Sequence, residues 1–137
     1  MLKKITVDKT VALDHSAEFL SLCNAAREQV EEVEQPYVIK ALEVDEHFIL
    51  LDVRDAEELQ AQGYIAGAYH LSKGWLEADI HRISANKEAE LVLYCGSGKR
   101  SLLAALQLKK MGYLQAKSLA GGFKAWKQAS LPVANDV

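Results

Sequence analysis

Cysteine is scarce in this chain of 137 residues, which contains two, Cys23 and Cys95. Two cysteines do not make the disulfide framework of a small secreted protein, and their spacing matches no zinc-binding pattern. The four histidines are scattered and form no pair at the helical spacing that suits a metal ion. We therefore expect a protein that works without a metal ion or another cofactor.

Long apolar runs and strong positive charge are also missing. No apolar run approaches the ~20 residues that a membrane-spanning helix needs, and residues 1–9 lack the apolar region of a signal peptide. The formal net charge is −3 and the basic residues are spread along the chain, which gives no reason to expect nucleic-acid binding. We expect a single globular unit in the cytoplasm, with neither membrane nor nucleic acid as partner.

The chain does contain a regular alternation of strand-like and helical segments from about Pro36 onward. Strands are predicted at Phe48–Val53, Ala68–Leu71, Leu91–Tyr94 and Ala116–Ala120. Continuous apolar strands separated by helices predict a parallel sheet covered on both faces, which is a three-layer α/β/α domain. Ligands of such sheets bind beyond the carboxyl ends of the strands.

Four helical segments follow these strands in the sequence. The first, over 56–62, has Asp55 as its cap and Gly63 as its stop. The second covers 75–83, and the others cover 100–111 and the stretch from Gly121-Gly122 to Ala129. In the second helix the residues predicted to face inward are Trp75, Leu76, Ile80 and Ile83. A short segment, Leu131–Val133, closes the predicted fold.

The first 34 residues read as an added arm and helix, so we divide the chain into residues 1–34 and a domain at 35–137. Ser16 can cap this extra helix. Its predicted inward face consists of Phe19, Leu20, Cys23, Ala26, Val30 and Val33. Cys23 is therefore interpreted as a packed apolar residue, and a role as a resolving thiol toward Cys95 is the less favoured alternative.

The segment that carries chemistry runs from Cys95 to Ser101, between the strand at 91–94 and the helix that follows. A thiol at such a junction lies near unpaired backbone N–H groups and the positive end of a helix dipole, which favour the thiolate. A packed cysteine in an ordinary turn is the simpler alternative. The cations Lys99 and Arg100 and the hydroxyls of Ser97 and Ser101 make a reactive sulfur in an anion-binding loop the better interpretation.

Several motifs resemble those of rhodanese domains. They are Asp52–Asp55 with Glu58, the turn Gly63–Ala68, the loop Tyr94–Ser101, Gly112-Tyr113 and the closing segment Leu119–Trp126. The resemblance runs in order over about residues 36–133. The chain departs from the family pattern at Tyr64 and Ala66, where rhodanese domains usually have His and Pro, and this departure concerns the rigidity of a turn.

This resemblance implies a sulfurtransferase with the rhodanese-like fold. Cys95 would take a sulfane sulfur from a small anionic donor such as thiosulfate and pass it, as a persulfide, to cyanide or a thiol, including a thiol on a protein. The residues that would surround or attract the sulfur are Gly96, Ser97, Gly98, Lys99, Arg100 and Ser101. Gly98 would permit the tight curl of the loop. Arg100 can equally be a structural residue that binds loop carbonyls, and Ser101 can be a first-turn helix residue.

Three alternatives remain open from the residues. Cysteine-dependent phosphatases share the fold, but their loop is one residue longer than the six residues from Cys95 to Arg100. An arsenate reductase would need a second thiol close by. A non-catalytic binding module is disfavoured because both the cysteine and the cationic loop are present.

Overall fold

The computed structural model describes residues 1–5, 7 and 15–137, and the rest of the predicted N-terminal arm, residues 6 and 8–14, lies outside the described residues. The strands are β1 Glu32–Val33, β2 Ile49–Asp52, β3 Tyr64–Ile65, β4 Tyr69–His70, β5 Leu91–Tyr94, β6 Ala116–Leu119 and β7 Val133–Ala134. The helices are α1 Ala17–Arg27, α2 Gln35–Val44, α3 Ala56–Gln62, α4 Leu76–Asp79, α5 Lys99–Lys110 and α6 Gly122–Gln128. Two 3₁₀ segments, Lys73–Trp75 and Ile80–Arg82, flank α4.

Five strands form a parallel sheet in the order β1-β6-β5-β2-β4, with β5 at its centre. Alternate residues of β5 enter two separate cores, because side chains of a strand point to opposite faces. Leu91 and Leu93 pack with the α1, α4 and α5 side, whereas Val92 and Tyr94 pack with the α2 and α6 side. The predicted parallel sheet between two helical layers is confirmed.

The N-terminal helix is real but shorter than the apolar spacing predicted. Ser16 caps it as expected, since its Oγ accepts the N–H of Phe19 at 3.1 Å. The helix ends at Arg27, and Val33 lies in β1, which pairs with β6. The helical assignment of Val30 and Val33 is therefore wrong, although both are buried, because the chain leaves the helix to join the sheet. The prediction that Leu20 faces inward is also wrong, since it is 38% exposed.

Helix α1 and strand β1 both contact the rest of the fold. α1 packs along α5, and β1 forms one edge of the sheet beside β6. The division between residues 34 and 35 stays a prediction. Helix α2, which begins with Gln35 and Pro36, has no counterpart among the predicted helices.

The segment predicted as one helix over 75–83 is broken into a 3₁₀ turn, the single turn of α4 and a second 3₁₀ turn. Leu76 and Ile80 are fully buried and Ile83 packs against the same core, as predicted. The inward placement of Trp75 is wrong, because its side chain is 66% exposed. Trp75 precedes α4 with a non-helical backbone, so its side chain does not follow the spacing of that helix.

The chain closes on a small antiparallel ribbon between β3 and β7. Tyr64, at one of the departures from the family pattern, lies in β3 and donates its hydroxyl to Asp136. Gly63 precedes β3 at a φ of 82°, and an added Cβ there would lie 2.5 Å from the carbonyl oxygen of Ala134. The tight approach of the two strands therefore depends on glycine at this position.

Candidate active site

Cys95 lies directly after the central strand β5, at its carboxyl end, and α5 begins four residues later at Lys99. Gly98 caps that helix in the left-handed region, with a φ of 93°. An added Cβ at Gly98 would lie 3.2 Å from both the carbonyl oxygen of Leu119 and the backbone nitrogen of Gly121. The curl predicted at Gly98 thus has two causes, the positive φ and the close backbone of the neighbouring segment.

The thiol of Cys95 is 1% exposed and faces backbone donors. The N–H of Gly98 points to Sγ at 3.2 Å and the N–H of Ser101 at 3.4 Å. The Oγ of Ser101 lies 3.5 Å from Sγ and 2.8 Å from the Oγ of Ser118. Donors converging on a buried sulfur stabilise its anion, so the arrangement suits a thiolate or a persulfide.

Among the described residues, the other members of the loop make no hydrogen bond to this sulfur. Gly96 presents its carbonyl to the N–H of Lys124 at 2.9 Å, and the carbonyl of Cys95 accepts the N–H of Phe123 at 2.8 Å. Ser97 is exposed, and in the described part of the chain its side chain makes no hydrogen bond to the sulfur. Gly96 thus joins the loop to the start of α6, a contact that the sequence motifs do not predict.

Arg100 forms a two-pronged ion pair with Glu58 of α3. Its two terminal nitrogens each lie 2.9 Å from a Glu58 oxygen, and these bonds raise the pKa of the Arg100 guanidinium. Glu58 is 1% exposed and also accepts the N–H of Asp55 at 2.9 Å, at the start of α3. The alternative structural role of Arg100 is thus supported, but its partner is a carboxylate and not a loop carbonyl.

A cleft opens above the Cys95 loop, between the start of α5, the 3₁₀ turn at Lys73–Trp75 and helix α6. The charged groups that line it are Lys73, Lys99, Arg100, Lys124, Lys127 and Asp55. Lys99 and Arg100 were predicted from the loop, whereas the other three cations are brought in by the fold. Residues at the start of α1, His15 and Phe19, form part of the same wall.

Cys23 lies in the same apolar cluster as Cys95 but in a different chemical setting. Its Sγ lies 3.8 Å from the carbonyl oxygen of Lys99, to which the thiol can donate. Burial raises the pKa of the Cys23 thiol. Its prediction as a packed residue of the helix face is confirmed, since it is 1% exposed. Its role toward Cys95 stays a prediction.

Within residues 1–5, 7 and 15–137, no group of three or more His, Cys, Asp or Glu side chains is placed to hold a metal ion. Among the same residues, none of the helices has the length and apolar character of a membrane span. The cytoplasmic location and the lack of a cofactor stay predictions.

Residues 34–129 match the family model described as a Rhodanese-like domain. This match confirms the resemblance drawn from the sequence motifs, and it contains the Cys95 loop, Glu58 and both glycines at the start of α6.

Individual relatives agree with the family match. A sulfurtransferase of Allochromatium vinosum is 33% identical over 104 residues, which are 76% of this chain and 94% of that protein. The thiosulfate sulfurtransferase GlpE of Coxiella burnetii is 35% identical over 79 residues, 58% of this chain and 71% of that one. The homodimeric polysulfide-sulfur transferase of Wolinella succinogenes superposes with a TM-score of 0.75 at 28% identity, over 86% of this chain and 88% of that one.

Proposed function

The chain belongs to the rhodanese-like domain family, and we propose that it is a sulfurtransferase in which Cys95 carries a sulfane sulfur as a persulfide. The relatives named as sulfurtransferases support sulfur transfer in general. The single observation that carries the mechanism is the pair of N–H groups, from Gly98 and Ser101, aimed at the Cys95 sulfur at 3.2 and 3.4 Å.

The first half-reaction loads the sulfur. The Cys95 thiolate attacks the outer sulfur of an anionic donor such as thiosulfate, and a new S–S bond forms on Sγ. The S–S bond of the donor breaks, and sulfite leaves with its electron pair. Lys99, at the start of α5, contributes positive charge that attracts the donor.

The second half-reaction releases the sulfur. A thiolate or cyanide attacks the outer sulfur of the Cys95 persulfide, the S–S bond to Sγ breaks, and the Cys95 thiolate leaves with the electron pair. The products are a new persulfide or thiocyanate. The backbone N–H groups that face Sγ stabilise the Cys95 thiolate as it leaves in this step.

In this proposal Arg100 serves mainly to hold the backbone of the loop in place. Its charge is compensated by the buried Glu58 carboxylate, which weakens its attraction for a distant anion. The ion pair ties the first turn of α5 to the start of α3, and it therefore holds the backbone from which the N–H donors project.

Intact-mass spectrometry tests the proposal. The protein incubated with thiosulfate and desalted should gain the mass of one sulfur atom, and cyanide should remove it with formation of thiocyanate. Aryl phosphate hydrolysis serves as the comparison reaction, because the six-residue loop has room for one sulfur but not for a tetrahedral phosphate. No mass gain with thiosulfate or polysulfide, or phosphate hydrolysis faster than sulfur transfer, would overturn the proposal.

A further inference from the structure

The cleft above Cys95 holds more positive charge than a small donor uses. Of the residues that the structure describes, five cations line it against one carboxylate, Asp55. Arg100 is compensated by Glu58, but among the residues that the structure describes, Lys73, Lys99, Lys124 and Lys127 take part in no ion pair. Thiosulfate carries two negative charges, which leaves two of these four lysines without a substrate charge to bind.

Three of these lysines line the cleft from two different elements of the fold. Lys124 and Lys127 are both exposed and stand three residues apart on α6, so they project from the same helix face. Lys73 belongs to the 3₁₀ turn on another wall. Positive charges spread over two separate elements of the cleft suit a ligand that is longer than a single small anion.

An exposed tryptophan lies in the same 3₁₀ turn as Lys73. Trp75 belongs to the same 3₁₀ turn and is 66% exposed, whereas Trp126, the other tryptophan, is 2% exposed in the core. An aromatic side chain held at this level of exposure is a typical anchor for a protein partner. A small inorganic anion gains nothing from it.

We propose that the sulfur acceptor of this enzyme is an acidic polypeptide that presents a cysteine thiol into the cleft. The proposal rests on the sulfurtransferase function above. Carboxylates of the polypeptide would pair with Lys73, Lys124 and Lys127, while its apolar part covers Trp75. The acceptor thiolate attacks the outer sulfur of the Cys95 persulfide, the S–S bond to Sγ breaks, and the electron pair returns to Cys95.

The charge distribution of the whole chain favours this partner. The net charge is −3, so an acidic polypeptide is repelled by much of the surface and attracted by the cleft, which directs it to the sulfur. Because Cys95 is 1% exposed and directly precedes Gly96 and Ser97, which line the cleft, the acceptor thiol must arrive on a narrow, extended segment.

Synthetic peptides test the acceptor class. One peptide carries a single cysteine flanked by glutamates, and its partner carries glutamines at the same positions. The protein is loaded from thiosulfate, and transfer to each peptide and to glutathione is measured at low salt. We expect kcat/KM for the glutamate peptide to exceed that for the glutamine peptide by about tenfold, since several carboxylates pair with exposed lysines, and the difference should shrink at high salt.

Two variants locate the interaction. Lys124→Gln combined with Lys127→Gln should lower kcat/KM for the glutamate peptide about five- to tenfold, with a much smaller effect on the glutamine peptide and on loading from thiosulfate. The control, Lys40→Gln with Lys110→Gln, removes the same charge from two exposed positions outside the cleft lining and should leave the peptide ratio unchanged. Trp75→Ala should raise KM for the glutamate peptide about fivefold with little change in kcat.

The outcomes separate this proposal from the proposed function. If thiosulfate loads no sulfur on Cys95, the sulfurtransferase function itself fails. If loading is normal but glutathione or the glutamine peptide accepts sulfur as well as the glutamate peptide, the acidic polypeptide is wrong. It is also wrong if the Lys124/Lys127 variant slows thiosulfate loading as much as peptide transfer, or if an oligonucleotide binds the cleft more tightly than the glutamate peptide does.

Discussion

Cys95 and Cys23 differ in almost everything except burial. Each is 1% exposed, and both belong to the core cluster between the sheet and helices α1 and α5. The sulfur of Cys95 receives N–H groups from Gly98 and Ser101. The sulfur of Cys23 instead faces the carbonyl oxygen of Lys99 at 3.8 Å.

The difference is that the Cys95 thiol faces peptide N–H groups, whereas the Cys23 thiol faces a peptide carbonyl oxygen. N–H groups stabilise a negative sulfur, whereas a carbonyl oxygen accepts from the neutral S–H and disfavours its ionisation. The start of α5 supplies both environments, because its N–H groups point toward the loop while the carbonyl of Lys99 points toward α1. Exposure alone therefore does not separate a reactive cysteine from a packed one here.

Replacing each cysteine in turn is the strongest test of the difference between Cys95 and Cys23. Cys95→Ala should lower thiosulfate sulfurtransfer by at least about a thousandfold, since the nucleophile is removed. Cys23→Ala should keep the rate within about threefold. Steady-state kinetics on both purified variants decides the matter, and a comparable loss in both would mean that the two thiols act together.

Gly98→Ala tests whether the backbone donors matter as much as the thiol. The added Cβ would lie 3.2 Å from backbone atoms at a φ of 93°, so the loop must shift and the N–H groups move away from Sγ. Misplacing one such donor costs about 10²–10³ in rate, and we expect about a hundredfold loss.

The matched control is Gly74→Ala, where an added Cβ meets no heavy atom within 4 Å. Its rate should stay within about twofold. Circular dichroism and melting temperature should confirm that the Gly98 variant is folded. A folded Gly98→Ala protein with wild-type kinetics would show that the donors do not activate the sulfur.

Lys99 contributes to both thiol environments, and its two contributions can be separated. Lys99→Ala removes the ammonium group beside the cleft but keeps the carbonyl that faces Cys23. We expect KM for thiosulfate to rise about two- to fivefold at low salt with kcat nearly unchanged, because ground-state attraction is lost. Salt titration checks the cause, since the effect should fade at high ionic strength. An unchanged KM at low salt would assign no role to this charge.

The smallest expected effect concerns the pH dependence of stability. Burial raises the pKa of the Cys23 thiol above its ordinary value of 9.0, so the unfolded chain releases this proton before the folded one does. The stabilisation from the neutral thiol is complete below about pH 9 and is lost as the pH rises further.

Thermal melts at pH 8 and pH 10 measure this contribution. The loss of melting temperature over that interval should be about 1–3 °C smaller in Cys23→Ala than in the unchanged protein. Tyrosine and lysine titrations occur in both proteins and cancel in the difference. Identical losses would mean that Cys23 ionises as freely in the folded chain as in the unfolded one.

Local signals in the sequence predicted the part of the site that is contiguous in the chain. The apolar run of β5, the glycine of the loop and the amphipathic start of α5 placed Cys95 at a strand end near helix N–H groups. The two covered sheet faces also followed from the alternation of strands and helices.

Contacts between distant segments could not be predicted in the same way. Glu58 and Arg100 are separated by 42 residues, and nothing local in either segment indicates that they meet. The same holds for Lys73 and Lys124, which share a cleft only because the fold brings the 3₁₀ turn at Lys73–Trp75 and helix α6 to the same place. The two-residue strand β1 carries too short a pattern to identify, and tertiary pairing with β6 decides its conformation.

Helix α6 bears no residue that touches the sulfur, yet it governs the polarity of the surface around it. Its first N–H groups, from Phe123 and Lys124, bind the carbonyls of Cys95 and Gly96 and so turn the oxygen side of these peptide planes outward. Gly122 makes this approach possible, because an added Cβ would lie 2.5 Å from the Cys95 carbonyl oxygen. A larger side chain there would push α6 away and break these two hydrogen bonds, which would free the carbonyls next to the thiol to reorient without any change at the nucleophile.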